Sequence, residues 1–508
     1  MAHLVNLKAE GLEKIREINP RLVSYNVEMT EVTGGTFWKA YTEGQIAGTE
    51  EFPKLEGGFQ NHTAMAGLMQ YYPPIDTTNE KLISLAKELG SVWVRVSGTW
   101  ATKTYYDFDG TTGGKAPEGY QSVLTREQWA NIIGFVKEID GKLLVSASNC
   151  AGDHKNGGPL DLTQIKKLFA LTDELGGRID AFEFMNEPNM LQVSGAPLGY
   201  TFEDYVRDQD IANGWVRDNY PECLIVGPCN TGMTDTSIED SPMAKMGSGI
   251  GNMMTMGTVH DLMRGAKVPM DVYSYHYYNG ISERLAGMMP QGHWPADMAH
   301  SDEYLQVAPG ICYMNIPARD RYVPGGEMWV TESGDAGGGG NTWASTYLDV
   351  LRTLNELGSF CTLTNGVIFH NTLASSDYGF LQHGSFDPRP NYFAALLWNR
   401  LMGNTCYKVD GEISDGAHVY CHSRKDGGDG YCYLIVNNSL TDEITVNLPR
   451  GAVLYTLTGE NGMRSKVMSL DTRPLVLNAD NSLPCLDGRK VSEGNHYLPA
   501  GSCSFIVI

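Results

Sequence analysis

Two glutamates in the sequence have the surroundings that acid and base chemistry requires. Glu187 lies near the end of the stretch FEFMNEPN at 182–189, and Glu332 follows an apolar run in WVTES at 329–333. Cleavage of a glycosidic bond needs two carboxyl groups, because one protonates the leaving oxygen while the other attacks the anomeric carbon. A carboxyl separation of about 5–5.5 Å goes with retention of configuration at that carbon. Taken singly, Glu187 could be a carboxylate at a helix N-terminus and Glu332 could simply finish a strand.

The elements that must position these glutamates alternate between strand and helix patterns from residue 21 to about residue 402. In one clear unit, Thr77 and Glu80 have the spacing of a capping box, Gly90 marks the helix end, and an apolar run follows at 92–96. The eight apolar runs begin at Leu22, Val92, Leu143, Phe182, Leu224, Val272, Met328 and Val367. Eight strands close a (β/α)₈ TIM barrel. The alternative, a doubly wound open sheet, is disfavoured because no glycine-rich phosphate turn follows the first run.

The sequence pattern changes after residue 403. Short alternating strands separated by turn residues run from 404 to 508, which predicts an antiparallel β-sandwich domain. Residues 1–20 form an N-terminal tail that could add an edge strand to this domain. We therefore expect an α/β protein with a catalytic barrel at 21–403 and a smaller β-domain after it.

Polar residues follow the predicted barrel strands, where the functional face of such a barrel lies. Glu187 follows the fourth strand and Glu332 the seventh, so the two carboxyl groups are expected to face each other across the barrel mouth. Asn186 is placed to bind a sugar hydroxyl, and Pro188 fixes how the chain turns away. The polar residues in these positions are Glu28, Arg95, Ser97, Asn149, Asn186, Glu187, His276, Tyr277, Tyr278, Glu332, His370 and Asn371.

The motifs around the two glutamates resemble those of a known group of enzymes. Asn186-Glu187-Pro188 and Thr331-Glu332-Ser333 are similar to the signature of clan A glycoside hydrolases, in which the first glutamate is the acid/base and the second is the nucleophile. A finer resemblance, over most of the barrel and the β-domain, is to the heparanase-like β-glucuronidases of glycoside hydrolase family 79. The stretches that carry it are VRVSGT at 94–99, NEPN at 186–189, HYYNG at 276–280, ES at 332–333, GGGG at 337–340, DY at 377–378 and FDPRPNY at 386–392.

This resemblance implies roles for further residues. Tyr278 would hydrogen-bond the nucleophile Glu332, and Tyr378 would help to bind the carboxylate of a uronic acid. Glu28 would contact sugar hydroxyls, and Asn149 and His276 would line the same subsite. One departure is Ser376, which stands where the family pattern has a glycine whose backbone N–H faces the carboxylate. A backbone donor survives this change if the turn does not require a positive φ.

The composition limits the partners. The net charge of −22 and the pI of about 4.9 argue against nucleic acid, because binding to phosphates requires clustered Lys and Arg. No run approaches the roughly 18 apolar residues that span a membrane. The acidic protein also repels long polyanions, so the expected substrates are small glucuronides or the ends of oligosaccharides.

The predicted function is that of a retaining, exo-acting β-glucuronidase. Two alternatives stay open: a clan A β-glycosidase for a neutral sugar such as glucose or xylose, and a non-catalytic carbohydrate-binding protein. A binder would need neither a proton donor nor a nucleophile, so the presence of both glutamates favours an enzyme. The oligomeric state stays open.

No cofactor or metal is expected, because the reaction needs neither and no His, Cys and Asp cluster has the spacing of metal ligands. The ten cysteines are scattered without a Cys-x-x-Cys pair, which predicts mostly buried free thiols and fits a reducing compartment. The first residues lack a basic head followed by an apolar stretch. These features favour a cytoplasmic location, with secretion after removal of a leader as the alternative.

Overall fold

The centre of the molecule is a closed barrel of eight parallel strands. The computed structural model describes residues 3–52, 66–231, 256–287, 290–409 and 416–508. The barrel strands are β1 (Val23–Glu28), β2 (Trp93–Ser97), β3 (Lys142–Ser146), β4 (Ala181–Glu183), β5 (Leu224–Asn230), β6 (Val272–Tyr278), β7 (Glu327–Gly334) and β8 (Gly366–His370). Each strand pairs with the next along the chain, and β8 pairs with β1. The predicted (β/α)₈ barrel is confirmed, and the doubly wound sheet is wrong.

A helix follows each barrel strand. These barrel helices are Glu80–Glu88, Arg126–Glu138, Thr163–Glu174, Phe202–Asn219, Val259–Met263, Val307–Tyr322, Leu348–Leu363 and Pro390–Leu401, and shorter helices lie at Met29–Thr33, Glu43–Ala47 and Asp302–Leu305. The predicted cap at Thr77 is wrong, because the side chain of Asn79 accepts hydrogen bonds from the N–H groups of Lys81 and Leu82 at the start of the first barrel helix. No helix in the described part of the chain is both long enough and apolar enough to cross a membrane.

A β-sandwich of two sheets lies beside the barrel. The larger sheet contains, in order, Lys14–Glu17, Met402–Tyr407, Ala417–Arg424, Tyr431–Asn437, Cys503–Val507, Ala452–Gly459, Met468–Leu470 and Arg473–Pro474, with Arg489–Val491 also paired to Ala452–Gly459. The smaller sheet contains His3–Asn6, Ile444–Leu448 and Gly494–Leu498. Buried side chains from both sheets, among them Val446, Leu454 and Ile506, form the core between them.

The N-terminal segment supplies a strand to each sheet of the sandwich. Lys14–Glu17 pairs antiparallel with Met402–Tyr407, whereas His3–Asn6 pairs parallel with Ile444–Leu448. The sandwich is therefore not antiparallel throughout. The domain limits at residues 20 and 403 stay predictions.

Two further small sheets extend from the mouth side of the barrel. Gly35–Trp38 pairs antiparallel with Met69–Tyr72 in the connection after β1, and Thr104–Asp107 pairs parallel with Ser122–Thr125 in the connection after β2. Both connections begin at the carboxyl ends of barrel strands, so they contribute to the wall around the mouth.

The cysteines behave as small apolar side chains. All ten are free thiols, and nine of them are buried, Cys485 being exposed. Free cysteine packs well in cores because its S–H group is only a weak donor. The predicted buried free thiols are confirmed.

An apolar layer closes the bottom of the barrel interior. It joins Trp93, Leu144, Ala181, Val226, Val272, Trp329, Val367 and Phe369, which come from seven of the strands. The rings of Trp93 and Trp329 lie 4.7 Å apart, and that of Phe369 lies 5.8 Å from Trp329. Because side chains alternate along a strand, Arg95 points to the same interior as Trp93. The barrel thus has an apolar floor beneath a polar layer.

Trp329→Ala should remove the largest part of this floor. We expect the free energy of unfolding to fall by about 3–5 kcal/mol, since a fully buried aromatic is replaced by a cavity. Urea denaturation measures this change. The matched control is Tyr497→Ala on the β-sandwich, where the side chain is 64% exposed and the loss should stay within about 0.5 kcal/mol. A loss at Trp329 no larger than in the control would contradict the packing described.

Candidate active site

The two glutamates lie at the barrel mouth, as the sequence predicts. β4 ends at Glu183, and Glu187 has left-handed backbone angles with φ 47° and ψ 52°, after which Pro188 begins a short 3₁₀ turn. The N–H of Glu187 donates to the carbonyl oxygen of Cys229 on β5 at 3.1 Å. This turn takes the chain away from the barrel while the Glu187 side chain stays over its interior.

The side chain of His276 joins the two carboxyl groups. His276 Nδ1 lies 3.0 Å from Glu187 Oε1 and 3.5 Å from Glu332 Oε2. One oxygen of each glutamate and a ring nitrogen of His276 all lie within 4.8 Å of one another. Inverting glycosidases place their carboxyl groups about 6.5–9.5 Å apart to admit a water between them. The shorter separation here resembles that of retaining enzymes.

Glu332 is held in its ionised form. Arg95 Nη1 donates to Oε1 at 3.0 Å, and the Tyr278 hydroxyl donates to Oε2 at 2.7 Å. Burial alone would raise the pKa of Glu332, but the charges of His276 and Arg95 and the Tyr278 hydrogen bond outweigh it and lower the pKa below its ordinary value. A buried carboxylate with a lowered pKa is ready to act as a nucleophile.

Arg95 is the cation at the centre of the site. Its guanidinium is fully buried and contacts the carboxylates of Glu183 at 2.6 Å and Glu332 at 3.0 Å. Nη2 also donates to Asn186 Oδ1 at 2.7 Å. Burial opposes the charge, but Glu183, Cys229 and Glu332 raise the pKa of Arg95 well above its ordinary value. Arg95 therefore links β2 to the residues after β4 and on β7.

His276 lies between the two carboxyl groups, and its contact with sugar stays a prediction. Its ring is completely buried between the two carboxyl groups on one side and Cys229 Sγ, at 3.1 Å from Nε2, on the other. Burial would lower the pKa of His276, but Glu332, Cys229 and Glu187 raise it well above its ordinary value. The positive charge on His276 that this favours is one of the causes that lower the pKa of Glu332.

Glu28 is a buried acid beside Glu332. Burial and the negative charge of Glu332 raise the pKa of Glu28 well above its ordinary value, which favours the neutral form of this side chain. Gly98, with φ 91°, makes room for it, because an added Cβ at that residue would meet Glu28 Oε2 at 1.7 Å. The glycine of the VSGT motif is thus required by the acid packed against it.

Tyr278 and Tyr378 share one donor. Asn371 Nδ2 donates to the hydroxyl oxygen of Tyr278 at 2.8 Å and to that of Tyr378 at 3.1 Å. The rings lie 6.4 Å apart with an interplanar angle of 28°. Because both hydroxyl oxygens accept from Asn371, each hydroxyl can still donate a hydrogen bond through its own proton. Tyr278 donates this hydrogen bond to Glu332.

The turn before Tyr378 has a positive φ of 55° at Ser376. The sequence predicts that the backbone N–H remains available with serine in place of glycine only if the turn does not require a positive φ. The turn does have a positive φ at Ser376, so the serine adopts it at a cost in backbone strain. An L-residue tolerates this left-handed region at some cost, unlike the glycine of the family pattern.

The two predicted asparagine ligands lie in different surroundings. Asn186 contacts Arg95, whereas Asn149 belongs to a neighbouring buried network in which its Oδ1 lies 2.8 Å from His154 Nε2 and its Nδ2 lies 3.4 Å from the Tyr200 hydroxyl. For both side chains a contact with sugar stays a prediction.

One group of side chains in the described part of the chain could hold a metal ion, and it consists of Glu187, His276 and Glu332. The positive guanidinium of Arg95, 3.0 Å from Glu332, opposes a second cation there. The donor set therefore fits proton and sugar chemistry better than a metal.

Several contributors to this site were not assigned a role from the sequence. They are Arg95, Glu183, Cys229, Asn371 and Asn26, whose Nδ2 donates to Asn371 Oδ1 at 3.1 Å. The charged Glu183 inside the apolar run FEFM was a usable signal, because an unpaired charge is not buried in a strand. Nothing in the sequence singled out Cys229 from the other cysteines.

The chain is similar to known proteins over most of its length. Heparanase-like protein 1 of Arabidopsis thaliana is 25% identical over 488 residues, which cover 85% of each chain. The hyaluronoglucuronidase of Hirudo nipponia is 23% identical over 477 residues, covering 85% of this chain and 90% of that one. No family model matches the chain.

The solved structure of a 4-O-α-L-rhamnosyl-β-D-glucuronidase from Fusarium oxysporum shares the fold. Its TM-score is 0.63 at 13% identity, and the match covers 99% of this chain and 100% of the other. The carboxyl pair at the barrel mouth and the relatives that match over most of the chain lead to one identification. The chain is a glycoside hydrolase that acts on a carbohydrate and resembles the heparanase-like β-glucuronidases of glycoside hydrolase family 79.

Proposed function

We propose that the protein is a retaining, exo-acting β-glucuronidase that releases glucuronic acid from small glucuronides or oligosaccharide ends. The observation that carries this proposal is the approach of Glu187 and Glu332, whose oxygens lie within 4.8 Å of each other beside His276. Tyr278 and Tyr378 complete the site next to this pair. The similar proteins of Hirudo nipponia and Fusarium oxysporum are both glucuronidases, which supports the choice of sugar.

The first step transfers the sugar to the enzyme. Glu187 gives its proton to the glycosidic oxygen, and the bond from that oxygen to the anomeric carbon breaks. Glu332 attacks the same carbon from the opposite face and forms a glycosyl ester. The aglycone leaves as a neutral alcohol, and the negative charge of Glu332 moves formally to Glu187.

The second step releases the sugar. A water molecule replaces the aglycone, and Glu187, now ionised, takes a proton from it as the oxygen attacks the anomeric carbon. The ester bond breaks, and Glu332 leaves as a carboxylate that Arg95 and Tyr278 again stabilise. Two inversions at the same carbon give net retention, and one water is consumed in each cycle.

The groups beside the nucleophile suit a negatively charged sugar. The Tyr378 hydroxyl accepts from Asn371 and can donate its proton to a carboxylate. Glu28, whose pKa is raised by burial and by Glu332, adds no negative charge when it is neutral and can donate to a sugar hydroxyl. The net charge of −22 disfavours long polyanions.

A panel of 4-nitrophenyl glycosides tests the substrate. We expect hydrolysis of the β-D-glucuronide well above that of the glucoside, xyloside and galactoside, with Glu332→Gln reducing turnover by at least about 10³-fold because the nucleophile is lost. Circular dichroism shows whether the variant is folded. Preferential cleavage of a neutral glycoside would contradict the proposed glucuronidase activity but would leave the proposed roles of the two glutamates unchanged.

Replacement of the acid/base separates the two roles. Glu187→Ala should still form the glycosyl ester from a substrate with a good leaving group, because 4-nitrophenol departs without a proton. Deglycosylation should then be slow, and added azide should restore turnover and give a β-linked glycosyl azide. Glu332→Ala under the same conditions is the control and should give no β-azide. Equal azide responses in the two variants would overturn the assignment.

The hydrogen bond from Tyr278 should be visible in the pH profile. The pKa of Glu332 is lowered, so activity is expected to be lost only as the pH falls through that low value. Tyr278→Phe removes one of the groups that lower it, and the acid limb of kcat/KM should move up by about 1–2 pH units, as expected for a hydrogen bond to a charged group.

The matched control is Tyr313→Phe, at a side chain that is 68% exposed on the barrel helix Val307–Tyr322. Its acid limb should coincide with that of the wild type. An unchanged acid limb in Tyr278→Phe would mean that this hydroxyl does not control the ionisation of the nucleophile.

A further inference from the structure

A buried ion pair lies directly beside the tyrosine that we assign to the uronate. Arg284, which follows β6, places Nη2 2.9 Å from Asp377 Oδ2, and the two side chains are 3% and 6% exposed. Asp377 immediately precedes Tyr378. The Arg284 guanidinium also lies over the ring of Tyr41, with its carbon 4.0 Å from the ring centroid. None of these residues takes part in the proton and ester chemistry described above.

Arg284 connects the segments that follow four barrel strands. Nη1 donates to the carbonyl oxygen of Gly338 at 2.6 Å, and Nη2 donates to that of Lys39 at 3.1 Å. Lys39 follows β1, Gly338 follows β7 and Asp377 follows β8. The three carbonyl and carboxylate partners satisfy a cation that would otherwise be costly to bury.

The glycine-rich stretch at 337–340 makes this connection possible. Gly339 has a φ of 92°, and an added Cβ there would meet Arg284 Nη1 at 2.2 Å. The Tyr41 hydroxyl donates to the Gly340 carbonyl oxygen at 2.7 Å, and the Asp377 N–H donates to that of Gly339 at 3.2 Å. The stretch therefore packs tightly between the ion pair and the loop that carries Tyr378.

The charges around Tyr378 determine the electrostatic environment of a carboxylate bound there. Asp377 is adjacent in sequence, and although burial raises the pKa of its carboxyl group, the charge of Arg284 favours the ionised form. Arg389, the other cation nearby, donates through Nη1 to the backbone carbonyl oxygens of Ser376, Asp377 and Gly379 at 2.7, 2.8 and 3.2 Å. Arg389 thus holds the loop by its backbone, and Arg284 is the partner that binds the Asp377 carboxylate itself.

We propose that Arg284 determines specificity for an anionic sugar, by offsetting the charge of Asp377 and fixing the loop of Tyr378. The inference rests on the proposed glucuronidase function. Without Arg284, Asp377 would lose the cation that favours its ionised form, so the uronate carboxylate would either be repelled by Asp377 or would bind only with protonation of Asp377. A neutral glucoside would meet neither cost. Repulsion between two charges several ångströms apart in a partly buried site corresponds to roughly 10- to 100-fold in affinity.

The experiment compares kcat/KM for 4-nitrophenyl β-D-glucuronide and the β-D-glucoside across a set of variants. Where glucoside turnover is too slow, its KI as a competitive inhibitor replaces it. Arg284→Gln should lower the ratio of glucuronide to glucoside by about 10- to 100-fold. Arg284→Lys keeps the charge and should lower it by less than about 3-fold. In Arg284→Gln with Asp377→Asn both charges are absent, and the ratio should return to within about 5-fold of the wild type.

Equal losses for both substrates in Arg284→Gln would overturn the proposal, because they would show a purely structural role. If that variant fails to fold, judged by circular dichroism and the melting temperature, Asp377→Asn supplies the test. It leaves the cation in place, so the ratio should be maintained or should rise, and a fall of 10-fold would equally overturn the proposal. A wild type without preference for the glucuronide would instead reject the proposed function itself.

Discussion

The buried guanidinium of Arg95 is the interaction on which the rest of the site depends. An unpaired cation inside a barrel would be prohibitively costly, and here Glu183 and Glu332 compensate it from β4 and β7. The pairing fixes Glu332 across the barrel from the strand that carries Arg95. It also requires closure of all eight strands, because the partners are separated by 88 and 237 residues along the chain. Fold and nucleophile are thus stabilised by the same contacts.

The neighbouring groups follow from this arrangement. Because Arg95 and His276 keep Glu332 ionised, burial and its negative charge raise the pKa of Glu28. Asn371 then orients two tyrosine hydroxyls, one toward the nucleophile. Around Glu332 the site thus combines the charges of Arg95 and His276, a buried acid at Glu28 whose neutral form is favoured, and an oriented tyrosine hydroxyl. The oriented neutral donors can bind the proposed anionic sugar without adding negative charge to a protein that is acidic as a whole.

Much of this organisation could be predicted from the sequence. The apolar runs starting at Leu22 and Val367 and those between them were sufficient for the barrel, since period and length separate strands from helices. Glu187 and Glu332 were found because they follow strands. The two carboxylate partners of Arg95 could not be predicted. The alternation of side chains along a strand shows which residues point into the barrel, but it does not show which of them are in contact. The cap at Asn79 and the positive φ at Ser376 depend on local backbone geometry that composition does not encode.

The most direct test of the account is covalent trapping of the nucleophile. A 2-deoxy-2-fluoro-β-D-glucuronyl fluoride should inactivate the enzyme, because the fluorine slows both steps while the fluoride still leaves, so that the glycosyl ester accumulates. Peptide mass spectrometry of the inactivated protein should locate one fluoroglucuronyl group on Glu332. Attachment to Glu187, or rapid turnover of substrates with no adduct and with inverted product, would contradict the double displacement proposed for this pair.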